Sequence, residues 1–220
     1  MVVGVNAHAT GEKLRIPLLS IDPSIETRQR ERAPEAAAGH PLLDVGRRGK
    51  HLLLRFEPVT FVVHLMQGGR LKPDEKQAAK PRGGIARWTF ADGTAWLLTE
   101  AGTERKAGVW VLAGETEGQP PLDGLGPDAD VVAGDAVALG AALTGHSARI
   151  HGVLRDQRVI AGIGRRLANE ICHRAKLSPF ANAAKPKPAE VTLLAEAMAS
   201  CLDESLAYER SRGDMSSSKE

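Results

Sequence analysis

The 220-residue sequence predicts an α+β protein, with an antiparallel β-sandwich-like N-terminal part followed by an α-helical part. Three observations predict it. Short apolar runs alternate with turn signals over 42–114. A Pro/Gly/Asp-rich stretch comes next at 120–134, and beyond it the apolar period becomes helical. Strands first and helices second is the pattern of two segregated parts. The chain therefore divides into a divergent N-terminal segment 1–37, a β-sandwich-like part 38–119, a connector 120–134, a helical part 135–210 and a polar tail 211–220.

Each element has its own signal. Val2, Val3 and Val5 make an apolar start, but Gly4, Gly11, Pro17, Pro23 and Pro34 punctuate the rest of this segment, and the charged run 26–32 could form only a short helix. His51–Phe56 reads as a strand, Glu57-Pro58 as a turn and 60–65 as the next strand. The runs 86–90 and 94–98 flank Asp92-Gly93, a type I′ hairpin signal. A further strand covers 108–112, which makes four or five in all. Asp135 is placed to cap an Ala/Leu helix, and Ser147 to open a second one burying Ile150, Val153 and Leu154. A third helix is expected over 164–175, with Leu167, Ile171 and Cys172 inward, before Ser178-Pro179 breaks it. Pro188 suits the first turn of a long helix to about Arg210, where Glu190 favours the dipole.

Composition narrows the function classes. No apolar run reaches the roughly 18 residues that cross a bilayer, and the N-terminus lacks a secretory pattern. Cys172 and Cys201 cannot build a disulfide framework or a four-cysteine zinc site, and two lone thiols fit a reducing cytoplasm. The net charge of +2 announces no partner, but its distribution is uneven. Residues 107–148 hold no Lys or Arg, whereas 149–187 hold nine basic residues against Asp156 and Glu170. Such a segment attracts polyanions. A solvated helical surface has the same composition.

The most specific segment runs from Leu154 through Asp156-Gln157-Arg158-Val159-Ile160-Ala161-Gly162-Ile163-Gly164 to Asn169-Glu170. A helix ends, an apolar turn with two glycines comes next, and another helix starts. Gly162 and Gly164 would allow positive φ and close approach of a ligand. The N–H groups opening the next helix suit phosphate, and Arg165 and Arg166 add charge there. The pattern fits a phosphate grip or a tight packed helical turn.

This string, with Leu177-Ser178-Pro179 after it, resembles the helix–two-turn–helix segment of the formamidopyrimidine-DNA glycosylase / endonuclease VIII family. Other segments agree in order. Arg47-Arg48-Gly49-Lys50-His51 resembles the family's basic strand, His64-Leu65-Met66-Gln67-Gly68-Gly69 its HLxMSG-type loop, Arg105-Lys106-Ala107-Gly108-Val109-Trp110 its RRFGxW turn, and Leu125-Gly126-Pro127 its LGP connector. The resemblance covers roughly 38–217. It implies a monomeric, cytoplasmic base-excision-repair DNA glycosylase/AP lyase, nucleoid-associated in a bacterium. Its partner would be damaged duplex DNA carrying oxidised bases or abasic sites, with the base flipped out for chemistry.

The resemblance also implies roles. Lys50 matches a lysine that donates a proton and contacts phosphate during elimination. Arg47, Arg48, Arg105, Lys106, Arg158, Gly162, Gly164, Arg165, Arg166 and Asn169 correspond to DNA-contacting positions, and Met66 lies beside the position of the methionine that fills the space of the flipped base. His64, on an apolar strand, reads as a structural histidine. There are departures. The family's nucleophile is an N-terminal proline followed by glutamate, where this sequence has Val2-Val3, so impaired catalysis or a non-catalytic or truncated relative is the expectation. Bulky Val2 disfavours removal of Met1, whose own amine could form an imine. Met66 is shifted by one position, Ala107 stands where many members have phenylalanine, and Arg165 replaces an asparagine. The family usually binds one structural zinc through a C-terminal CxxC…CxxC finger; the ligands are missing here, so no cofactor is expected.

Overall fold

The computed structural model describes residues 18–21, 34–101 and 105–212. The run 26–32, Val2, Val3 and nearly all of the tail lie outside them. The chain forms two compact units. Of the described residues, one takes those up to Arg47 and then His51–Asp123; the other takes Arg48–Lys50 and 124–212.

Among its described residues the first unit contains eight strands: β1 Leu18–Ile21, β2 Leu42–Arg48, β3 His51–Phe56, β4 Val59–His64, β5 Gly69–Pro73, β6 Gly84–Phe90, β7 Ala95–Glu100 and β8 Gly108–Ala113. Among the described residues, a 3-10 turn, Pro34–Ala37, lies between the first two. They form two four-stranded sheets, ordered β1-β6-β7-β5 and β2-β3-β4-β8. The pairs β3–β4, β4–β8, β6–β7 and β5–β7 are antiparallel. Only four or five strands were expected. The additional β1, β2 and β5 are three of the four sheet edges. Edge strands tolerate charge and glycine on their solvated side, so their alternation is weak. Central β4 is buried from Val59 to Val63, as its continuous apolar run requires. The sheets meet where the Phe61 ring stands edge-on to Trp88, 5.9 Å between centroids at 86°.

The hairpin between β6 and β7 is not type I′. Gly93 has φ +84°, but Asp92 does not take positive φ. Gly93 N–H donates to Phe90 C=O at 3.0 Å and Phe90 N–H to Thr94 C=O at 2.9 Å. This is the longer loop in which a type I turn is followed by a left-handed glycine.

The second unit contains α1 Ala129–Val132, α2 Ala136–Leu143, α3 Ile150–Arg155, α4 Arg165–Arg174 and α5 Pro188–Ser211. Asp135 caps α2 as expected, its carboxylate accepting from the N–H groups of Val137 and Ala138 at 2.9 Å each. Two expectations change. Residues 120–134 contribute the short α1 rather than a bare connector. The second helix starts at Ile150, not Ser147, because Ala183 N–H bonds Ala148 C=O and Ile150 N–H bonds Ala181 C=O, holding Ala148 and Arg149 out of the helix. Leu139, Ile150, Leu154, Ile160, Ile163, Ile171, Leu194 and Met198 are fully buried in one core. Cys172 and Cys201 lie in the same core, and burial pushes both thiols upward in pKa. At α5 the Glu190 carboxylate accepts from Lys187 N–H at 2.6 Å, a cap as well as a dipole partner.

Candidate nucleic-acid interface

The loop from α3 to α4 is held from within. Gln157 donates from Nε2 to the carbonyls of Arg155 at 2.7 Å and Ile163 at 3.0 Å, and its Oε1 accepts from Gly162 N–H at 2.9 Å. One amide thus staples both turns. Ile160 and Ile163 anchor the loop in the core. The two glycines do different work. Gly162 has φ +109°, a region that glycine alone enters without strain. Gly164 is extended, with φ −103°, and caps α4, so positive φ is not its reason. A side chain at Gly164 would point at the Lys50 amine, with a Cβ only 3.9 Å from Nζ.

Lys50 reaches this loop because the preceding turn is fixed. Asp128 Oδ1 accepts from Gly49 N–H at 2.7 Å and from Arg48 Nη1 at 3.0 Å. Arg48 Nη2 donates to the carbonyls of Leu125 and Gly126 at 3.1 and 2.8 Å. The 125–129 segment is itself bonded to the loop through Gly126 N–H to Gln157 C=O and Ala161 N–H to Pro127 C=O, both 2.9 Å. Gly126 is obligatory here, since a Cβ would come within 2.5 Å of the Val159 carbonyl oxygen. Arg48 was expected to contact phosphate. Its guanidinium is engaged by three acceptors of the protein, two positions before Lys50. Lys50 as a residue is exposed, yet its amine is partly desolvated and feels the charge of Arg155, and in that order these effects lower its pKa.

Arg165, Arg166 and Asn169 are exposed on α4, with Asn169 one turn beyond the two arginines. The first-turn N–H groups of α4 have no acceptor within the helix. Arg158 extends into solvent but is paired with Asp156 through Nε at 3.0 Å and Nη2 at 2.7 Å. Those bonds hold the Asp156 carboxyl at about 2. Lys50, Arg155, Gly162, Gly164, Arg165, Arg166 and Asn169 thus belong to one unit, around the loop from α3 to α4.

The remaining expected residues belong to the β unit. Arg47, Arg105 and Lys106 are exposed there. Met66 is 45% exposed and has φ +52°. Ala107 is buried, and its N–H donates to the Oε2 of buried Glu100 at 2.8 Å. Asp128, Arg155, Gln157 and Glu100 were not foreseen. Gln157 lies inside the quoted motif and Asp128 directly follows Leu125-Gly126-Pro127, so position was the available signal. Among the described residues no group of three or more His, Cys, Asp or Glu could hold a metal, and both cysteines are enclosed in helix interiors, so these residues do not fit a zinc site. Among the described residues no helix is long and apolar enough to cross a membrane.

Two antiparallel sheets, with a helical unit whose glycine loop opens a helix beside a lysine, define the class: a β-sandwich with a helix–two-turn–helix module. A model of the formamidopyrimidine-DNA glycosylase N-terminal domain matches residues 1–108, and one of the formamidopyrimidine-DNA glycosylase H2TH domain matches 125–217. The chain belongs to the formamidopyrimidine-DNA glycosylase family. It is 31% identical to the formamidopyrimidine-DNA glycosylase of Thiobacillus denitrificans over 195 residues, 89% of this chain and 67% of that protein. It is 49% identical over 90 residues to an uncharacterized formamidopyrimidine-DNA glycosylase-like protein of Mycobacterium tuberculosis, covering 40% of this chain and 55% of that one. The chain spans between about half and two thirds of the length of the first curated relatives it matches. The crystal structure of the MutM (Fpg) protein of Thermus thermophilus superposes with a TM-score of 0.73 at 26% identity, covering 89% of this chain and 70% of that one. Lactococcus lactis Fpg, non-covalently bound to DNA containing an abasic site, has a TM-score of 0.76 at 18% identity, covering 90% and 76%, a likeness of fold.

Proposed function

We propose that this chain is a DNA glycosylase/AP lyase of base-excision repair that grips damaged duplex DNA with the α3–α4 loop and acts at the abasic sugar through Lys50. One observation carries the reading: an amine of lowered basicity is held at the mouth of a glycine loop that opens a helix. The relatives named formamidopyrimidine-DNA glycosylase and the Lactococcus complex with abasic DNA support it.

The roles follow from chemistry. The opening N–H groups of α4 and the side chains of Arg165, Arg166 and Asn169 hold backbone phosphates. Arg47, Arg105 and Lys106 add phosphate contacts from the β unit, and Met66 fills the space of the flipped base. A lowered pKa raises the neutral fraction of Lys50, and only the neutral amine is nucleophilic. It adds to the C1′ aldehyde of the opened sugar, and loss of water leaves an imine. Removal of a C2′ proton then expels the 3′ phosphate, and hydrolysis of the imine returns the amine. The working form is a monomer in a reducing cytoplasm, and the substrates are oxidised bases and abasic sites.

Borohydride trapping tests this on two duplexes, one with an abasic site and one with an oxidised purine. The expected adduct forms on the abasic duplex, maps to Lys50, and disappears in Lys50→Met while duplex binding persists. An adduct mapped to the N-terminal amine and undiminished in Lys50→Met would remove Lys50 from the chemistry. Tight binding with no adduct on either duplex would make the chain a non-catalytic DNA-binding relative.

A further inference from the structure

Met66 is held in an unusual backbone conformation. Its φ of +52° lies in the left-handed region, which methionine avoids because Cβ crowds the following carbonyl. Glycine would relieve that strain, yet the glycines of this turn come later, at Gly68 and Gly69. Gly69 N–H closes the turn on Leu65 C=O at 2.8 Å, and a side chain on Gly69 would run into that same carbonyl. At Met66 itself the N–H donates to Nδ1 of His64 at 3.0 Å.

The His64 ring is placed by its neighbours. His51 is its register partner across β3–β4, and the two rings lie 4.6 Å apart at 58°. His51 in turn meets Trp110 edge-on at 6.2 Å and 74°. Trp110 lies over Gly108, where a Cβ would come within 2.7 Å of the indole. Gly108 is the register partner of His64 on the other side, in β8. The missing side chain at Gly108 thus makes room for the indole that backs His51, which backs His64. With Nδ1 accepting, a neutral His64 ring carries its proton on Nε2.

We infer that His64 is a positioning residue for Met66: its Nδ1 locks the 65–69 turn so that the methionine side chain is presented for the space left by a flipped base. This rests on the DNA-lesion reading proposed above. The lock acts through the Met66 N–H and is separate from any contact His64 makes with DNA.

The test uses the full chain and a duplex carrying a tetrahydrofuran abasic analogue with 2-aminopurine opposite. NMR should show a coupling across the bond from Met66 N–H to His64 Nδ1. His64→Leu should weaken binding and the 2-aminopurine response about fivefold, the worth of one such bond. His64→Asn should restore both, because an asparagine oxygen can accept from the N–H two residues on. In a Met66→Ala background, His64→Leu should add nothing further. Additive losses, or failure of His64→Asn to restore function although it folds, would overturn the positioning role and leave the lesion reading standing. A Met66→Ala protein that binds and reports like the parent would instead remove Met66 from the lesion site, and the inference with it.

Discussion

Lys50 shows what a site residue costs the fold that holds it. Its amine loses water and faces Arg155, so the folded chain binds this proton less tightly than the unfolded chain, whose value is the ordinary 10.5. The unfolded state therefore holds more protons in the interval between the lowered pKa and 10.5, and stability rises with pH across it. Lys50→Met should melt higher than the parent at pH 7, with the difference closing as pH rises through that interval. An unchanged or lower melting point at pH 7 would contradict it. Asp128 is the complementary case. Asp128→Ala strips an acceptor from Arg48 and one from Gly49 together, and leaving a partly buried guanidinium without its carboxylate should cost about 2–3 kcal/mol. Lys50 then loses its placement. Chemical denaturation and borohydride trapping should fall together in Asp128→Ala, whereas Asp128→Asn should keep part of both.

Within elements, glycines in one module separate into distinct classes. Gly126 is pinned by backbone atoms at 2.5–2.6 Å from any Cβ. Backbone cannot swing aside as a side chain can, so Gly126→Ala should destabilise by more than about 3 kcal/mol, as overpacking does at its worst. Gly164 meets only the flexible end of Lys50, so Gly164→Ala should change the melting point little and affect the rate of trapping instead. Equal costs to stability at both glycines would mean that the loop is arranged differently. The cap of α2 is a milder case: Asp135→Ala forfeits two bonds to the first turn and should cost about 1 kcal/mol. Capping was legible because it is local, needing one residue before an apolar run. The late start of α3 was not, because the bonds that hold Ala148 and Arg149 out of the helix come from 181–183, far along the chain.

At the scale of the molecule, the basic stretch 149–187 is less positive toward a ligand than its count of nine suggests. Arg174 is tied to Glu170 and Glu204, Arg158 to Asp156, and Arg149 lies over the Phe180 ring at 5.1 Å. Arg165 and Arg166 remain exposed at the start of α4. Replacing both by Ala should lower the slope of log K against log salt by about 2 for duplex DNA, and do so alike on all sequences. An unchanged slope would take this helix out of the interface.

The sequence by itself determined that strands come first and helices second, the capped helix at Asp135, the glycine loop and its family. Those signals are periodicity, turn chemistry and short ordered motifs, all written within a few neighbouring residues. The tertiary structure alone decided which charges are spent on the protein itself. Arg48 and Lys50 stand two positions apart and look alike in sequence. Asp128, far along the chain, takes one and thereby presents the other. The same holds for Met66, whose conformation depends on rings brought alongside from β3 and β8. Local pattern reflects the statistics of one segment, whereas the partner of a charge or a ring is settled only when distant segments pack.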